Sequence, residues 1–194
     1  MKIAAALLAG GESRRMGRDK ALIEFAGMPL WRRQLDLLRQ LDPFEILVSA
    51  RTDPPWRPRD THFAEDAEPS RGPLSGLAAC LGRTRREHLL VLAVDMPFMS
   101  ESYLRGLCRE IVSRKGVIPI VNGRSEPLAA LYPQSSLSEF SGALDGNDFS
   151  LQTLTRKLIA SGILRPLTVT AEEIPLFQSV NEPVDLPSLP SDAA

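Results

Sequence analysis

The chain has 194 residues, of which 43% are hydrophobic and 24% are charged, the balance of an ordinary globular domain. Its formal net charge is −1, which excludes bulk electrostatic attraction to nucleic acid or to a membrane surface as the basis of function. No apolar run approaches the roughly 20 residues that span a bilayer. The residues after Lys2 also lack a cleavage-like signal, so we expect a cytoplasmic protein.

The first apolar run, Ile3–Leu8, predicts a buried strand that stops at the pair Gly10-Gly11. A hydroxyl, arginines that include Arg15, and then Lys20 follow this pair. Glycines let backbone N–H groups approach a ligand, and cations neutralise phosphate oxygens. This order of residues therefore predicts a loop that wraps a phosphorylated ligand.

The spacing of this loop excludes two well-known phosphate-binding schemes. A Walker loop needs four residues between its glycines and then Lys with Ser or Thr, whereas here five residues separate Gly11 from Gly17, and Arg18-Asp19 follow. A dinucleotide-binding fingerprint needs a second glycine where Glu12 stands. The loop is thus expected to bind phosphate by another arrangement.

The rest of the chain alternates predicted strands and helices. Apolar runs predict strands over residues 21–25, 44–48, 61–64, 89–94, 117–121, 127–132, 163–169 and 177–180. Helical spacing predicts helices after Pro29, from Leu77, after Ser100 and after Ser150, with both serines as caps. The dipeptide Asn122-Gly123 predicts a hairpin.

This alternation indicates an α/β fold with one doubly wound, mostly parallel, Rossmann-like sheet that carries an antiparallel hairpin. One domain is expected over residues 1–186, followed by a flexible tail over residues 187–194. Cys80 and Cys108 form no C-x-x-C pair, so they are interpreted as reduced core cysteines.

Ligands of such sheets bind beyond the carboxyl ends of the strands. Ser49, Asp66 and Asp95 follow predicted strands there, beside the glycine loop. An acidic residue suits a magnesium ion that bridges phosphates. The alternative role for Asp95 is to cap the helix that starts near Pro97. No Ser/His/Asp or Cys/His set is present, so phosphoryl or nucleotidyl transfer fits better than covalent catalysis.

The opening loop resembles the signature loop of molybdenum cofactor guanylyltransferases, which have the nucleotide-diphosphosugar transferase fold. The matching residues read Leu8-Ala9-Gly10-Gly11-x-Ser13-x-Arg15-Met16-Gly17-x-Asp19-Lys20. Further matches follow in order at Phe25-x-Gly27-x-Pro29-Leu30, Gly72-Pro73-Leu74-Ser75-Gly76, Asp95-Met96-Pro97-Phe98 and Val180-Asn181-x-Pro183-x-Asp185-Leu186.

The resemblance implies transfer of GMP from Mg-GTP to the terminal phosphate of molybdopterin, with release of pyrophosphate. It implies catalytic roles for Lys20, Arg15 and Asp95, with Asp95 as the Mg²⁺ ligand. It implies a GTP site made of Leu8, Ala9, Gly10, Gly11, Lys20, Ser49, Asp66 and Asp95.

The resemblance also implies that the partners are GTP, molybdopterin, other cofactor-biosynthesis proteins and molybdoenzyme chaperones. We expect the protein itself to be a monomer.

Two departures from the family pattern concern the substrate sites. Ser49 stands where the family often has an asparagine that contacts the nucleotide. The closing motif Ser179-Val180-Asn181-Glu182-Pro183 lacks one of two usual asparagines, leaving Asn181 for the acceptor or a second metal. The hairpin segment 124–128 lies where the family usually contacts the acceptor.

Three alternatives to this function are compatible with the sequence. A molybdopterin cytidylyltransferase usually has Leu-Ala-Ala-Gly in the loop, whereas Gly10 favours guanine here. A sugar-phosphate nucleotidyltransferase is a more distant enzyme of the same fold. A non-catalytic GTP-binding assembly factor is disfavoured, because Lys20 and Asp95 are both retained.

Overall fold

The computed structural model describes residues 3–10 and 19–180. The predicted tail over residues 187–194 lies outside this part. The strands are β1 (Ala4–Leu8), β2 (Glu24–Phe25), β3 (Met28–Pro29), β4 (Glu45–Ala50), β5 (His62–Glu65), β6 (His88–Ala93), β7 (Gly116–Val121), β8 (Arg124–Ser125), β9 (Ala129–Pro133) and β10 (Leu164–Thr168).

The helices are α1 (Leu30–Gln40), α2 (Pro73–Arg83), α3 (Glu101–Arg109), α4 (Leu137–Leu144) and α5 (Leu151–Ala160). Short 3₁₀ turns cover Lys20–Leu22, Gln134–Ser136 and Ile174–Phe177. Among the described residues, no helix has both the length and the apolar character needed to cross a bilayer.

The main sheet has the order β10-β7-β9-β6-β1-β4-β5, with β8 added to β7. The strands β6, β1, β4 and β5 are mutually parallel, and β10 runs parallel to β7. Only β9 within this order is antiparallel, to both β6 and β7. The mostly parallel sheet is confirmed, and β2 and β3 form a separate antiparallel hairpin.

Both faces of the sheet are covered, which explains the continuous apolar runs of β1 and β6. On one face, Ala5 and Leu7 of β1 pack in a cluster with side chains of α1 and α3. On the other face, Ala4 and Ala6 pack in a cluster with α2, α4 and α5. Each fully buried leucine in these clusters contributes about 1.5–3 kcal/mol of transfer free energy.

Several local elements differ from the sequence-based expectations. Residues 177–180 are not a strand, because Phe177 ends the turn Ile174–Phe177 and Gln178 N–H closes that turn on Pro175 O at 3.3 Å. Val180 N–H then donates a backbone bond to Asp95 O at 2.8 Å. Residues 20–22 form a 3₁₀ turn, because the Asp19 side chain accepts a hydrogen bond from Ala21 N–H at 3.0 Å.

The hairpin turn at Asn122-Gly123 is confirmed, with positive φ angles of 48° and 78° at the two residues. The segment over residues 124–128, here called the return arm, follows this turn: it comprises β8, which ends at Ser125, and the link to β9, which starts at Ala129. Helix α4 was not predicted, because its serines and glycine give a weak helical pattern. Its buried face is centred on Phe140, whose ring packs edge-on against Tyr132.

Candidate nucleotide-binding edge

The carboxyl ends of β1, β4, β5 and β6 meet at one edge of the sheet, and backbone bonds hold their continuations side by side. Ala9 N–H donates to Ser49 O at 2.9 Å, and Val94 N–H donates to Leu8 O at 3.0 Å. Asp66 N–H donates to Ala50 O at 3.0 Å. The structure therefore brings Leu8, Ala9, Gly10, Ser49, Asp66 and Asp95 to a common edge, as the sequence predicts.

Lys20 and Asp95 form an ion pair at this edge. Their Nζ and Oδ2 atoms are 3.2 Å apart, and the side chains are 23% and 21% exposed. The two residues are 75 positions apart in the chain, so the pair joins the end of the glycine loop to the end of β6. A cation beside a carboxylate is the charge arrangement that a nucleotide phosphate with a divalent metal would complete.

Helix α1 holds the segment that carries Asp95. Gln34 is fully buried and its side-chain amide donates to Met96 O at 2.5 Å. Arg33 Nε donates to Pro97 O at 2.8 Å. Together with the bond from Val180 N–H to Asp95 O, these contacts fix residues 95–97 from two sides.

Asp95 does not cap the following helix. The cap of α3 is Ser100, whose hydroxyl accepts a hydrogen bond from Tyr103 N–H at 3.3 Å. The alternative reading of Asp95 as a helix cap is therefore wrong. Its carboxylate is left for the pair with Lys20 at the sheet edge.

Ser49 and Asp66 form a second polar pair, 1% and 3% exposed. Ser49 Oγ donates to Asp66 Oδ1 at 2.5 Å. Burial raises the pKa of the Asp66 carboxyl, while the Ser49 hydroxyl and the Arg51 guanidinium oppose the rise. Gly10 leaves room for this carboxyl, because a Cβ at position 10 would overlap Asp66 Oδ2.

The loop over residues 51–60 contacts the start of the Lys20 turn. Trp56 Nε1 donates to Asp19 Oδ2 at 3.1 Å, while Asp19 Oδ1 accepts from Ala21 N–H. The Trp56 ring stacks on Trp31 of α1, with centroids 5.2 Å apart and planes 19° apart. The sequence did not predict this contact, because a tryptophan in a proline-rich loop does not indicate which residue it bonds to.

The hairpin reaches the same edge by its return arm, since Ala93 N–H donates to Leu128 O at 2.8 Å. The Ser125 hydroxyl instead bonds to Gln152 and Thr155 of α5, at 2.9 and 2.8 Å. Gly11, Arg15 and Asn181 lie outside the described residues, so the roles predicted for them stay predictions.

The metal-binding potential rests on carboxylates of this edge. Within residues 3–10 and 19–180, no cluster of three or more His, Cys, Asp or Glu side chains is suited to hold a metal ion. Magnesium is often bound by one or two carboxylates together with substrate phosphates and water. Asp95, partly exposed and next to Lys20, fits that mode of binding.

Comparison with known proteins identifies the family. Residues 5–162 match the MobA-like NTP transferase domain. The chain is 32% identical over 186 residues to a probable molybdenum cofactor guanylyltransferase of Opitutus terrae, covering 94% of this chain and 92% of the relative. It is also 32% identical over 189 residues to a relative with the same name in Natronomonas pharaonis, covering 93% of each chain.

Solved structures share the fold. Molybdopterin-guanine dinucleotide biosynthesis protein A of Archaeoglobus fulgidus superposes with a TM-score of 0.71 at 22% identity, covering 94% of both chains. A Mycobacterium tuberculosis protein solved in complex with manganese superposes with a TM-score of 0.62 at 16% identity, covering 87% of this chain and 89% of the other. The match over residues 5–162 and the two relatives establish that this chain belongs to the family of MobA-like NTP transferase domains.

Proposed function

We propose that this chain is a molybdenum cofactor guanylyltransferase, which transfers GMP from Mg-GTP to the terminal phosphate of molybdopterin. The products are pyrophosphate and molybdopterin guanine dinucleotide. The observation that carries the proposal is the Lys20–Asp95 pair, 3.2 Å apart at the edge where the glycine loop begins. The names of the relatives from Opitutus terrae and Natronomonas pharaonis support the choice of substrates.

The reaction needs no protein nucleophile. An oxygen of the molybdopterin phosphate forms a bond to the α-phosphorus of GTP, and the bond from that phosphorus to the bridging oxygen breaks. Its electron pair leaves with pyrophosphate. Lys20 stabilises the negative charge that accumulates on the leaving group, and positioning with charge neutralisation supplies most of the rate enhancement.

Asp95 would hold Mg²⁺ at this edge, with phosphate oxygens and water as the other ligands. When bound, the ion would neutralise phosphate charge and orient the triphosphate. Gln34 and Arg33 keep the carboxylate in place through the Met96 and Pro97 carbonyls. This arrangement explains why a buried glutamine sits on the inner face of α1.

The nucleoside side of the site is proposed to involve Leu8, Ala9, Gly10 and Asp66, with Ser49 next to Asp66. Gly10 is the residue proposed to favour guanine, because a side chain there would displace the Asp66 carboxyl from the nucleoside side of the site. The acceptor side is proposed to lie near the hairpin return arm, where Leu128 bonds to the end of β6.

Incubation of the purified protein with molybdopterin, Mg²⁺ and either GTP or CTP tests this proposal. The expected result is pyrophosphate release and dinucleotide formation with GTP, and stronger thermal stabilisation by Mg-GTP than by Mg-CTP. Preferential use of CTP would identify a cytidylyltransferase instead. Binding of Mg-GTP without any product would favour a non-catalytic assembly factor.

A further inference from the structure

The fold buries the Asp66 carboxyl group at the proposed nucleotide edge and places the Ser49 hydroxyl beside it as a hydrogen-bond donor. Asp66 follows β5, and Ser49 lies near the end of the neighbouring strand β4. A buried carboxyl group is costly unless hydrogen bonds compensate for its lost hydration. The Ser49 hydroxyl supplies one such bond, to Asp66 Oδ1 at 2.5 Å.

Two glycines pack closely against this pair, Gly76 against Ser49 Oγ and Gly10 against Asp66 Oδ2. A Cβ at Gly76, on α2, would overlap Ser49 Oγ and would lie 3.1 Å from Asp66 Oδ1. A Cβ at Gly10 would overlap Asp66 Oδ2 and would lie 3.3 Å from Ala50 Cα. The pair therefore occupies space that side chains at both positions would fill, and its second carboxyl oxygen faces the backbone at Gly10.

We propose that Ser49 is a positioning residue for nucleotide binding: its hydroxyl holds Asp66 Oδ1, so that Oδ2 is presented beside Gly10 as a hydrogen-bond acceptor for the nucleoside part of GTP. This inference rests on the proposed function. A serine hydroxyl can donate one hydrogen bond, and Ser49, which is 1% exposed, donates that bond to Asp66. Ser49 thus acts on the nucleotide through Asp66.

The groups that face Asp66 determine its protonation. The Ser49 hydroxyl and Arg51 favour the carboxylate, whereas burial disfavours it. The buried Cys80 thiol is also close, and burial together with the Asp66 charge raises the pKa of Cys80, so this thiol stays neutral. Loss of the Ser49 hydroxyl should therefore raise the pKa of Asp66 further. As the pH is lowered, nucleotide binding by the variant should begin to weaken at a higher pH than binding by the wild type.

A double-mutant cycle measured by calorimetric titration of Mg-GTP tests the inference. The proteins are the wild type, Ser49→Ala, Asp66→Asn and the double variant, each titrated between pH 5 and pH 8. We expect Ser49→Ala to weaken Mg-GTP binding about tenfold near neutral pH, as for loss of a hydrogen bond to a charged group. In the Asp66→Asn background the same change should cost less than about twofold, because the residue through which Ser49 acts is already altered.

Ser136→Ala is the matched control. Ser136 is also fully buried, and its hydroxyl donates to Pro133 O at 2.7 Å, in the 3₁₀ turn after β9. This variant should lower the melting temperature without changing the affinity for Mg-GTP. If Ser49→Ala does not fold, Ser49→Cys carries the same test, because a thiol fills similar space but is a weaker donor.

Three results would overturn the inference. Equal losses from Ser49→Ala in both backgrounds would mean that Ser49 contacts the nucleotide independently of Asp66. A wild-type affinity and pH profile in Ser49→Ala would reduce Ser49 to a structural role. Failure of the wild-type protein to bind Mg-GTP would remove the proposed function itself, whereas the first two results leave it standing.

Discussion

Replacing the partners of the Lys20–Asp95 ion pair singly and together will separate their roles in folding and in turnover. The charged atoms are 3.2 Å apart, and each side chain is less than a quarter exposed. Their Coulomb attraction is about 5 kcal/mol at an effective dielectric constant of about 20. Desolvation and lost side-chain freedom offset most of this attraction, which leaves a net stabilisation of about 1 kcal/mol.

Lys20→Met and Asp95→Asn each remove one partner from the pair. We expect each to lower the free energy of unfolding by about 1–3 kcal/mol, because the remaining charge loses a compensating neighbour. The double variant loses both charges and should recover most of that stability. Turnover should follow another pattern, with about a 100- to 1000-fold loss in kcat for each single variant and no recovery in the double variant.

Urea denaturation and pyrophosphate release from Mg-GTP with molybdopterin measure the two effects on the same four proteins. Glu101→Gln is the control, because it breaks the exposed Arg105–Glu101 pair, 2.6 Å apart and more than 40% exposed on both sides. It should change the unfolding free energy by less than about 0.5 kcal/mol. Wild-type kcat in either single variant, or recovery of kcat in the double variant, would refute this account of the pair.

Three further predictions follow from contacts around the site. Gln34→Met removes the donor to Met96 O, so it should lower the unfolding free energy by about 1–3 kcal/mol in urea. It should also lower kcat more than it changes the KM for GTP, and an unchanged kcat would contradict the positioning of Asp95 by α1. Trp56→Phe keeps an aromatic ring but loses the donor to Asp19, so initial-rate measurements should give a several-fold higher KM for GTP; an unaltered KM would show that this contact does not position Lys20. The raised pKa of Asp66 means that the folded protein binds more protons than the unfolded chain, so this group should make stability fall as pH rises from the unfolded to the folded pKa. Asp66→Asn should remove that fall in urea titrations across pH, and an identical pH dependence in wild type and variant would exclude Asp66 as its source.

The sheet could be predicted because its parallel strands are buried on both faces. Residues 89–94 have an apolar run with no polar interruption, and β6 occupies residues 88–93. Where a segment is buried on one side or does not pair with a strand, its apolar residues gave a wrong prediction of a strand. Residues 177–180 have an apolar residue at each end and resemble a short strand, yet Phe177 belongs to a 3₁₀ turn and packs against Tyr103.

The site was predictable in its parts and less so in its connections. Lys20, Asp66 and Asp95 follow strands or the glycine loop, so topology alone brings them to one edge. Gln34 could not be assigned, because its contact with Met96 spans 62 positions and depends on how α1 packs. The Ser49–Asp66 bond was likewise invisible, since nothing in either local sequence indicates the partner.

The stacked indoles of Trp31 and Trp56 give the protein an optical signal of its own. The chain has two tryptophans, so all indole absorption arises from this stack. Two indoles with centroids 5.2 Å apart are close enough to couple their electronic transitions, so we expect a paired band in the circular dichroism spectrum. We expect that band to disappear if the loop over residues 51–60 separates from α1. An unlabelled sample would then report, during a titration with nucleotide, whether Trp56 stays in contact with Trp31 next to Asp19.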